Sequence, residues 1–99
     1  MKIGILGASG MLGSQLTEYF IKTNYEVQAF TRKDLDAESL SGSHLQECIF
    51  GFDYLINAIG IIKPYIHDDN SFEVQRAIKV NAQFPHKLAD AIKGSRTKV

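Results

Sequence analysis

The sequence predicts an α/β fold, a doubly wound parallel sheet with helices on both faces, of which it supplies the amino-terminal half (β-α-β-α-β-α). Three observations predict it. A short apolar run over residues 3–6 precedes three glycines at three-residue spacing, and an apolar pattern of helical period follows them. Two further strand-like runs, over residues 25–31 and 53–59, alternate with helical patterns. Strands that alternate with helices favour parallel pairing, because a parallel connection needs a crossover of a dozen or more residues.

The glycine-rich segment over residues 2–16 reads KIGILGASGMLGSQL and is the most informative part of the chain. The first glycine would permit a tight turn off the strand, the second would let the backbone approach a pyrophosphate, and the third would let the helix pack closely on the sheet. The beginning of the helix would direct unpaired N–H groups and the positive end of its dipole at the anion. We therefore predict a dinucleotide phosphate site formed by Gly7, Gly10, Met11, Leu12 and Gly13.

The next elements are predicted from apolar spacing and turn residues. Asn24 is expected to adopt the left-handed conformation in the turn that ends the first helix. Cys48 falls on the buried stripe of a short helix, so we interpret it as a small core residue rather than a reactive thiol. The expected elements are a helix over residues 11–22, a strand over 25–31, a loop over 32–42, a helix over 43–51 and a strand over 53–59.

A loop over residues 61–70 then leads to a long helix, capped by Asn70 or Ser71 and closed by Gly94. Asn81 falls on the predicted apolar stripe of this helix, and Pro85 lies four residues later. Because proline has no N–H, it cannot bond the carbonyl of Asn81, and we expect the helix to bend or break there. Two interpretations of Asn81 remain, a holder of an ordered water and a structural cap of its own turn. The apolar stripe of this long helix comprises Val74, Ala77, Ile78, Phe84, Leu88, Ala91 and Ile92.

After the helix, residues 97–99 are typical of the start of a fourth strand.

Composition narrows the class of protein. The 99 residues carry 11 basic and 11 acidic side chains, and this balance does not indicate binding to nucleic acid or to an anionic membrane. The single cysteine excludes an intramolecular disulfide and fits a reducing compartment. Met1 leads directly into a strand, without a charged leader or a long apolar segment, so we expect a cytoplasmic protein.

Two cations follow the second strand, where a site specific for NAD usually has an acidic residue that bonds the ribose 2′-hydroxyl. Arg32 and Lys33 would suit a 2′-phosphate instead, so we expect NADP as the cofactor, with NAD as the alternative. Solvated loop charges are the other interpretation of this pair. Asp34 or Asp36 could approach the ribose or the adenine. Ala58, Ile59 and Gly60 lie where the third strand meets its loop, and small side chains there would let the sugars of the cofactor come close to the backbone.

Residues 67–69 (His-Asp-Asp) could be mistaken for metal ligands. Three polar residues in a row cannot easily converge on one ion, and no cysteine or histidine lies at ligand spacing. We expect a solvated loop and no metal.

The glycine motif of residues 7–13 resembles that of the extended short-chain dehydrogenase/reductases. Further matches lie in order at residues 31–32, 35–36, 56–58 and 80–82, and they are most similar to dTDP-4-dehydrorhamnose reductases and related nucleotide-sugar reductases. The resemblance implies a Rossmann-like, NAD(P)-binding domain, with Asp36 against the adenine. It also implies that Asn81 helps to hold a water linked to a catalytic lysine.

The catalytic pair of that family, a tyrosine with a lysine four residues later, has no match here. The four tyrosines Tyr19, Tyr25, Tyr54 and Tyr65 are followed at that distance by Thr23, Ala29, Ala58 and Asp69. We therefore expect residues 1–99 to be the amino-terminal part of the domain, inactive alone, with the catalytic and substrate-binding parts beyond residue 99.

Two functions fit these features. The first is an NADP(H)-dependent reductase that acts on a keto group of a nucleotide-linked sugar. The resemblance is also compatible with a homodimer. The second is a non-catalytic NAD(P)-sensing protein of the same fold, since one fold serves unrelated functions. A mononucleotide-binding module would need a different loop after the first strand. Of the residues present, Asn81 favours the enzyme.

Overall fold

The computed structural model describes residues 1–38, 42–60, 67 and 69–99, and these contain a three-stranded parallel sheet in the order β2-β1-β3. The predicted α/β class and parallel sheet are thereby confirmed. The elements are β1 (Lys2–Leu6), α1 (Met11–Ile21), β2 (Glu26–Phe30), α2 (Gly42–Ile49), β3 (Tyr54–Asn57), α3 (Ser71–Ile78), a π-helical turn (Lys79–Gln83) and α4 (Phe84–Ala91).

Both faces of the central strand β1 are buried. Ile3 and Ile5 point to one face, where Leu16 and Phe20 of α1 pack against them. Leu6 points to the other face and joins a larger core with residues of α2, β3, the π-helical turn and α4. Because side chains alternate along a strand, helices are needed on both sides of the sheet, which explains the near-continuous apolar run of β1.

The strands β2 and β3 lie on opposite sides of β1, so the order of strands reverses after β2. The crossover through α1 places β2 on one side of β1, whereas the connection through α2 places β3 on the other side. The carboxyl ends of β1 and β3 therefore border a topological switch point, which is where open parallel sheets bind ligands. Beyond β3, Lys98 forms a parallel bridge with Tyr54, in agreement with a fourth strand beginning at residues 97–99.

The long helical run from Ser71 to Ala91 is interrupted as predicted. The N–H of Phe84 donates to the carbonyl of Lys79, five residues earlier, and this bond closes the π-helical turn. Pro85, at the start of α4, has no N–H with which to continue the α-helical pattern. The π-helical turn therefore follows from the position of the proline.

The buried stripe of this run differs from the prediction. The buried residues of this run are Ala77, Val80, Phe84 and Leu88, at spacings of three, four and four. Ile78 and Asn81 were expected to be buried, but each lies one position further along the helix than a buried residue and is exposed. Successive helical residues are rotated by about 100°. Asn81 therefore points away from the core.

Three local predictions can be compared with the structure. Asn70 caps α3, because its side-chain oxygen accepts the N–H groups of Phe72 and Glu73. Asn24 is not left-handed, since no described residue other than glycine has a positive φ. Cys48 is half-buried and packs on the core, as expected. Most of the predicted loop over residues 61–70 lies outside the described residues.

Candidate functional site

The glycine turn after β1 is held between the ends of the two neighbouring strands. Gly7 has a φ of 80°, a conformation that favours glycine. Its N–H and that of Ala8 donate to the carbonyl of Phe30, at 3.0 and 2.9 Å, which fixes the turn at the end of β2. A Cβ on Gly7 would lie 3.0 Å from the backbone carbonyl of Ala58, just beyond β3.

The second and third glycines have different surroundings. A Cβ on Gly13 would lie 2.0 Å from the carbonyl oxygen of Gly7, so this position must be glycine for α1 to approach β1 so closely. A Cβ on Gly10 would lie 3.4 Å from the same oxygen, which is ordinary contact. Gly10 is therefore not required by packing within the described part of the chain, and its missing side chain leaves space beside the turn.

The amino end of α1 is suited to an anion. Gly10 is its N-cap, no side chain caps the helix, and the first turn contains no acidic residue. The first N–H groups of a helix have no partner within it, and they carry the positive end of the helix dipole. Together with the space at Gly10, these features fit a phosphate of a dinucleotide.

The first two residues of the segment after β3 are held by hydrogen bonds. The N–H of Ala58 donates to the carbonyl of Leu6 at 2.9 Å, and the side-chain oxygen of Asn57 accepts the N–H of Ile59 at 3.1 Å. A Cβ on Gly60 would lie 3.6 Å from the side-chain oxygen of Asn81. The π-helical turn thus brings the exposed amide of Asn81 to the carboxyl end of β3.

The two aspartates that follow β2, Asp34 and Asp36, have different surroundings. The carboxylate of Asp34 accepts the N–H and the hydroxyl of Thr31, at 2.9 and 3.1 Å, and these bonds lower the pKa of Asp34 below its ordinary value. A lowered pKa means that the carboxylate stabilises the turn above its unfolded-state pKa, and that this contribution is lost as the pH falls through the folded-state pKa. Asp34 therefore serves the turn, and Asp36 is the aspartate at the pocket.

A pocket of about 180 Å³ lies where these segments meet. Complete ligand pockets occupy about 300–1,000 Å³, so this volume suits one portion of a dinucleotide. The structure brings seven of the predicted residues to the pocket and does not include Met11, Leu12, Gly13, Lys33 or Asn81 in its lining. The seven are Gly7, Gly10, Arg32, Asp36, Ala58, Ile59 and Gly60.

Six lining residues were not predicted from the sequence. Leu35, Ala37 and Glu38 adjoin Asp36 in the chain, so their closeness in sequence to that predicted residue was the available signal. Arg76 and Val80 lie four residues apart on one helical face, the spacing of neighbours on a helix. Ser9 lies inside the glycine motif. The six are Ser9, Leu35, Ala37, Glu38, Arg76 and Val80.

Four charged side chains form a cluster at the pocket. Arg32 lies 3.8 Å from the carboxylate of Asp36 and 3.9 Å from that of Glu38, measured between charged atoms. Arg76, on α3, donates from its Nε to the same oxygen of Glu38. The carboxylate of Glu38 thus pairs with two arginines that are distant from each other in sequence.

Two other features of the described residues concern metals and membranes. No group of three or more histidine, cysteine or acidic residues there could hold a metal ion. His67 pairs with Glu73, at 2.8 Å between its Nδ1 and the carboxylate, whereas Asp68 lies outside the described residues. No described helix has the length and apolar character needed to cross a membrane.

The sequence profile of the NAD dependent epimerase/dehydratase family matches residues 3–99. The chain belongs to this family. The membership makes it part of an enzyme family and confirms the relationship that the glycine motif and residues 80–82 indicated. No curated protein matches the sequence.

Solved structures support the same relationship. A dTDP-4-dehydrorhamnose reductase from Clostridium acetobutylicum ATCC 824 is 26% identical, with a TM-score of 0.81, over 98% of this chain and 34% of that one. A dTDP-4-dehydrorhamnose reductase from Bacillus anthracis str. Ames in complex with NADP is 26% identical, with a TM-score of 0.74, over 97% of this chain and 34% of that one.

A UDP-glucuronic acid 4-epimerase mutant from Bacillus cereus, in complex with NAD, shares the fold at 19% identity and a TM-score of 0.75, over 98% of this chain and 38% of that one. The chain spans about a third of the length of the two reductases. The family and the NADP-bound reductase support a nicotinamide dinucleotide as the cofactor of this epimerase/dehydratase family member.

Proposed function

We propose that this family member is the cofactor-binding part of an NADP(H)-dependent reductase that acts on a keto group of a nucleotide-linked sugar. The observation that carries the proposal is the amino end of α1 at the switch point, which no side chain caps. Packing does not require a glycine at position 10, and the absence of a side chain there leaves space beside the helix end. The two dTDP-4-dehydrorhamnose reductases at 26% identity support the choice of substrate class.

The residues of this chain would bind and orient the cofactor. Amides at the start of α1 would hold the pyrophosphate, and Gly7 and Gly10 would permit its close approach. Asp36 would lie against the adenine, and the segment over residues 58–60 would contact the sugars. The bound cofactor supplies hydride chemistry at its nicotinamide. The catalytic tyrosine and lysine are proposed to lie beyond residue 99.

The proposal is tested by mixing the full-length protein with NADPH and dTDP-4-dehydrorhamnose and following the absorbance of the reduced nicotinamide. We expect oxidation of NADPH that depends on the sugar. Tight binding of NADP without turnover of any nucleotide-linked ketosugar would contradict the reductase and favour a sensing protein.

Replacement of Arg32 should lower the affinity for NADP much more than the affinity for NAD. A charge-assisted contact of about 1.5–3 kcal/mol corresponds to roughly ten- to a hundredfold in affinity, so Arg32→Gln should weaken NADP by that factor and NAD much less. Lys33→Gln is the matched control, because Lys33 adjoins Arg32 in sequence but does not line the pocket. Dissociation constants of both cofactors are measured by titration. Equal losses for NADP and NAD would make Arg32 an ordinary surface charge.

Replacement of Asn81 should affect turnover rather than cofactor affinity. Its amide lies beside Gly60 at the carboxyl end of β3, which suits a residue that positions a water for proton transfer. Since general acid–base catalysis contributes roughly a hundredfold or more, Asn81→Ala should lower kcat by about tenfold or more. Gln83→Ala, in the same π-helical turn, is the control. Wild-type turnover by a folded Asn81→Ala protein would leave only the structural role.

A further inference from the structure

The charged cluster at the pocket has an arrangement that the motif residues alone do not explain. Glu38 accepts the Nε–H of Arg76, and the same carboxylate oxygen lies 3.9 Å from a terminal nitrogen of Arg32. The two arginines come from different elements, since one follows β2 and the other lies on α3. One carboxylate oxygen therefore draws two guanidinium groups to the same side of the pocket.

The cluster is poorly placed to stabilise the fold. The side chains of Arg32 and Arg76 are 64% and 49% exposed, and exposed ion pairs contribute little to stability. Arg32 is also 3.8 Å or more from both carboxylates, beyond ordinary hydrogen-bond distance. An anion that offered Arg32 a closer, two-pronged contact could therefore replace these pairs at little cost.

The charges of the cluster also balance. Arg32 and Arg76 supply two positive charges, while Asp36 and Glu38 supply two negative ones, and all four side chains line the same pocket. A dianionic phosphate that entered would be attracted by the arginines and repelled by the carboxylates. The pairing of Glu38 with both arginines makes it the direct competitor of such a phosphate.

We propose that Arg32 and Arg76 act together on the 2′-phosphate of NADP, and that Glu38 sets the preference between NADP and NAD by competing with that phosphate for both arginines. This inference rests on the proposed cofactor use. It makes Arg76 and Glu38 specificity-determining residues of the site. The bidentate geometry of a guanidinium suits a phosphate, which explains why two arginines would serve better than two lysines.

The two residues should shift cofactor preference in opposite directions. Arg76→Gln removes a phosphate contact and should weaken NADP by roughly tenfold or more, with NAD changed by less than about twofold. Glu38→Gln removes the competing charge and should strengthen NADP by about fivefold relative to NAD. Arg76→Lys keeps the charge without the fork and should give an intermediate loss.

The experiment is titration of the full-length protein with NADP, with NAD, and with adenosine 2′,5′-bisphosphate against adenosine 5′-monophosphate. Arg96→Gln and Glu47→Gln are the controls, because they remove the same charges from exposed residues that do not line this pocket. Thermal unfolding of each variant establishes that it is folded. The shifts in affinity should diminish at high salt, where exposed charges are screened.

Two outcomes would overturn the inference. In one, Arg76→Gln weakens NADP and NAD equally; in the other, Glu38→Gln leaves the ratio of the two affinities at the wild-type value. These outcomes are distinct from failure of the proposed function. A protein that binds cofactor but reduces no ketosugar would still show the opposite shifts, and a wild type that prefers NAD should still gain affinity for NADP in Glu38→Gln.

Discussion

Gly13→Ala is expected to lose about 3 kcal/mol of unfolding free energy or more, a large share of the roughly 5–15 kcal/mol that stabilises a typical domain. The added Cβ would lie 2.0 Å from the carbonyl oxygen of Gly7 and 2.7 Å from its carbonyl carbon. Both are backbone atoms of a turn that is anchored to β2, so α1 must move away from β1. The gain in helix propensity from glycine to alanine, about 1 kcal/mol, is too small to compensate.

Gly10→Ala is the matched control for this variant. Its Cβ would lie 3.4 Å from the same oxygen, so the same methyl group costs little there. Thermal unfolding followed by circular dichroism should show a midpoint lower by roughly 12 °C or more for Gly13→Ala and a much smaller change for Gly10→Ala. Equal midpoints for the two variants would mean that α1 is not held against β1 as described.

Gly10→Val should have the opposite effect, retaining the fold but losing the cofactor. The valine side chain would occupy the space beside the open end of α1, where a pyrophosphate would otherwise contact the backbone. We expect affinity for both NADP and NAD to fall by roughly a hundredfold, equivalent to about 2.7 kcal/mol. Because the pyrophosphate is common to both cofactors, the loss should not depend on the 2′-phosphate.

Titration of the full-length Gly10→Val protein with each cofactor measures this loss. Gln15→Val is the control, since it adds the same β-branched side chain at an exposed position further along α1. Unchanged affinity in folded Gly10→Val would show that no phosphate binds at this turn. A loss for NADP alone would place the altered contact at the 2′-phosphate instead.

Features that depend on neighbouring residues could be deduced from the amino-acid sequence. The strand, glycine turn and helix of residues 2–16 follow from a short apolar run, three glycines and a helical period, all within one stretch of chain. Asn70 caps α3 through bonds to amides two and three residues away, and Pro85 disturbs the helix because of the N–H that it lacks. Such effects act over a few residues and can be deduced without knowledge of the fold.

The helical stripe shows where local reasoning fails. Asn81 lies within one residue of the buried Val80, so periodicity could not decide which of them faces the core. The sheet and α2 decide it, because the large side chain of Phe84 must fill the core between them. Once Phe84 and Leu88 are buried, Asn81 is turned outward, towards Gly60.

The tertiary structure alone decided how the candidate site is assembled. The order β2-β1-β3 depends on which edge of β1 the third strand joins, and that choice is made by packing on both faces of the sheet. It brings the segment after β3 against the glycine turn. Glu38 and Arg76 are separated by 38 positions, so no sequence spacing could have paired them. Contacts between distant segments exist only after the chain has closed its core, and for this reason the charged cluster was found in the structure and not in the sequence.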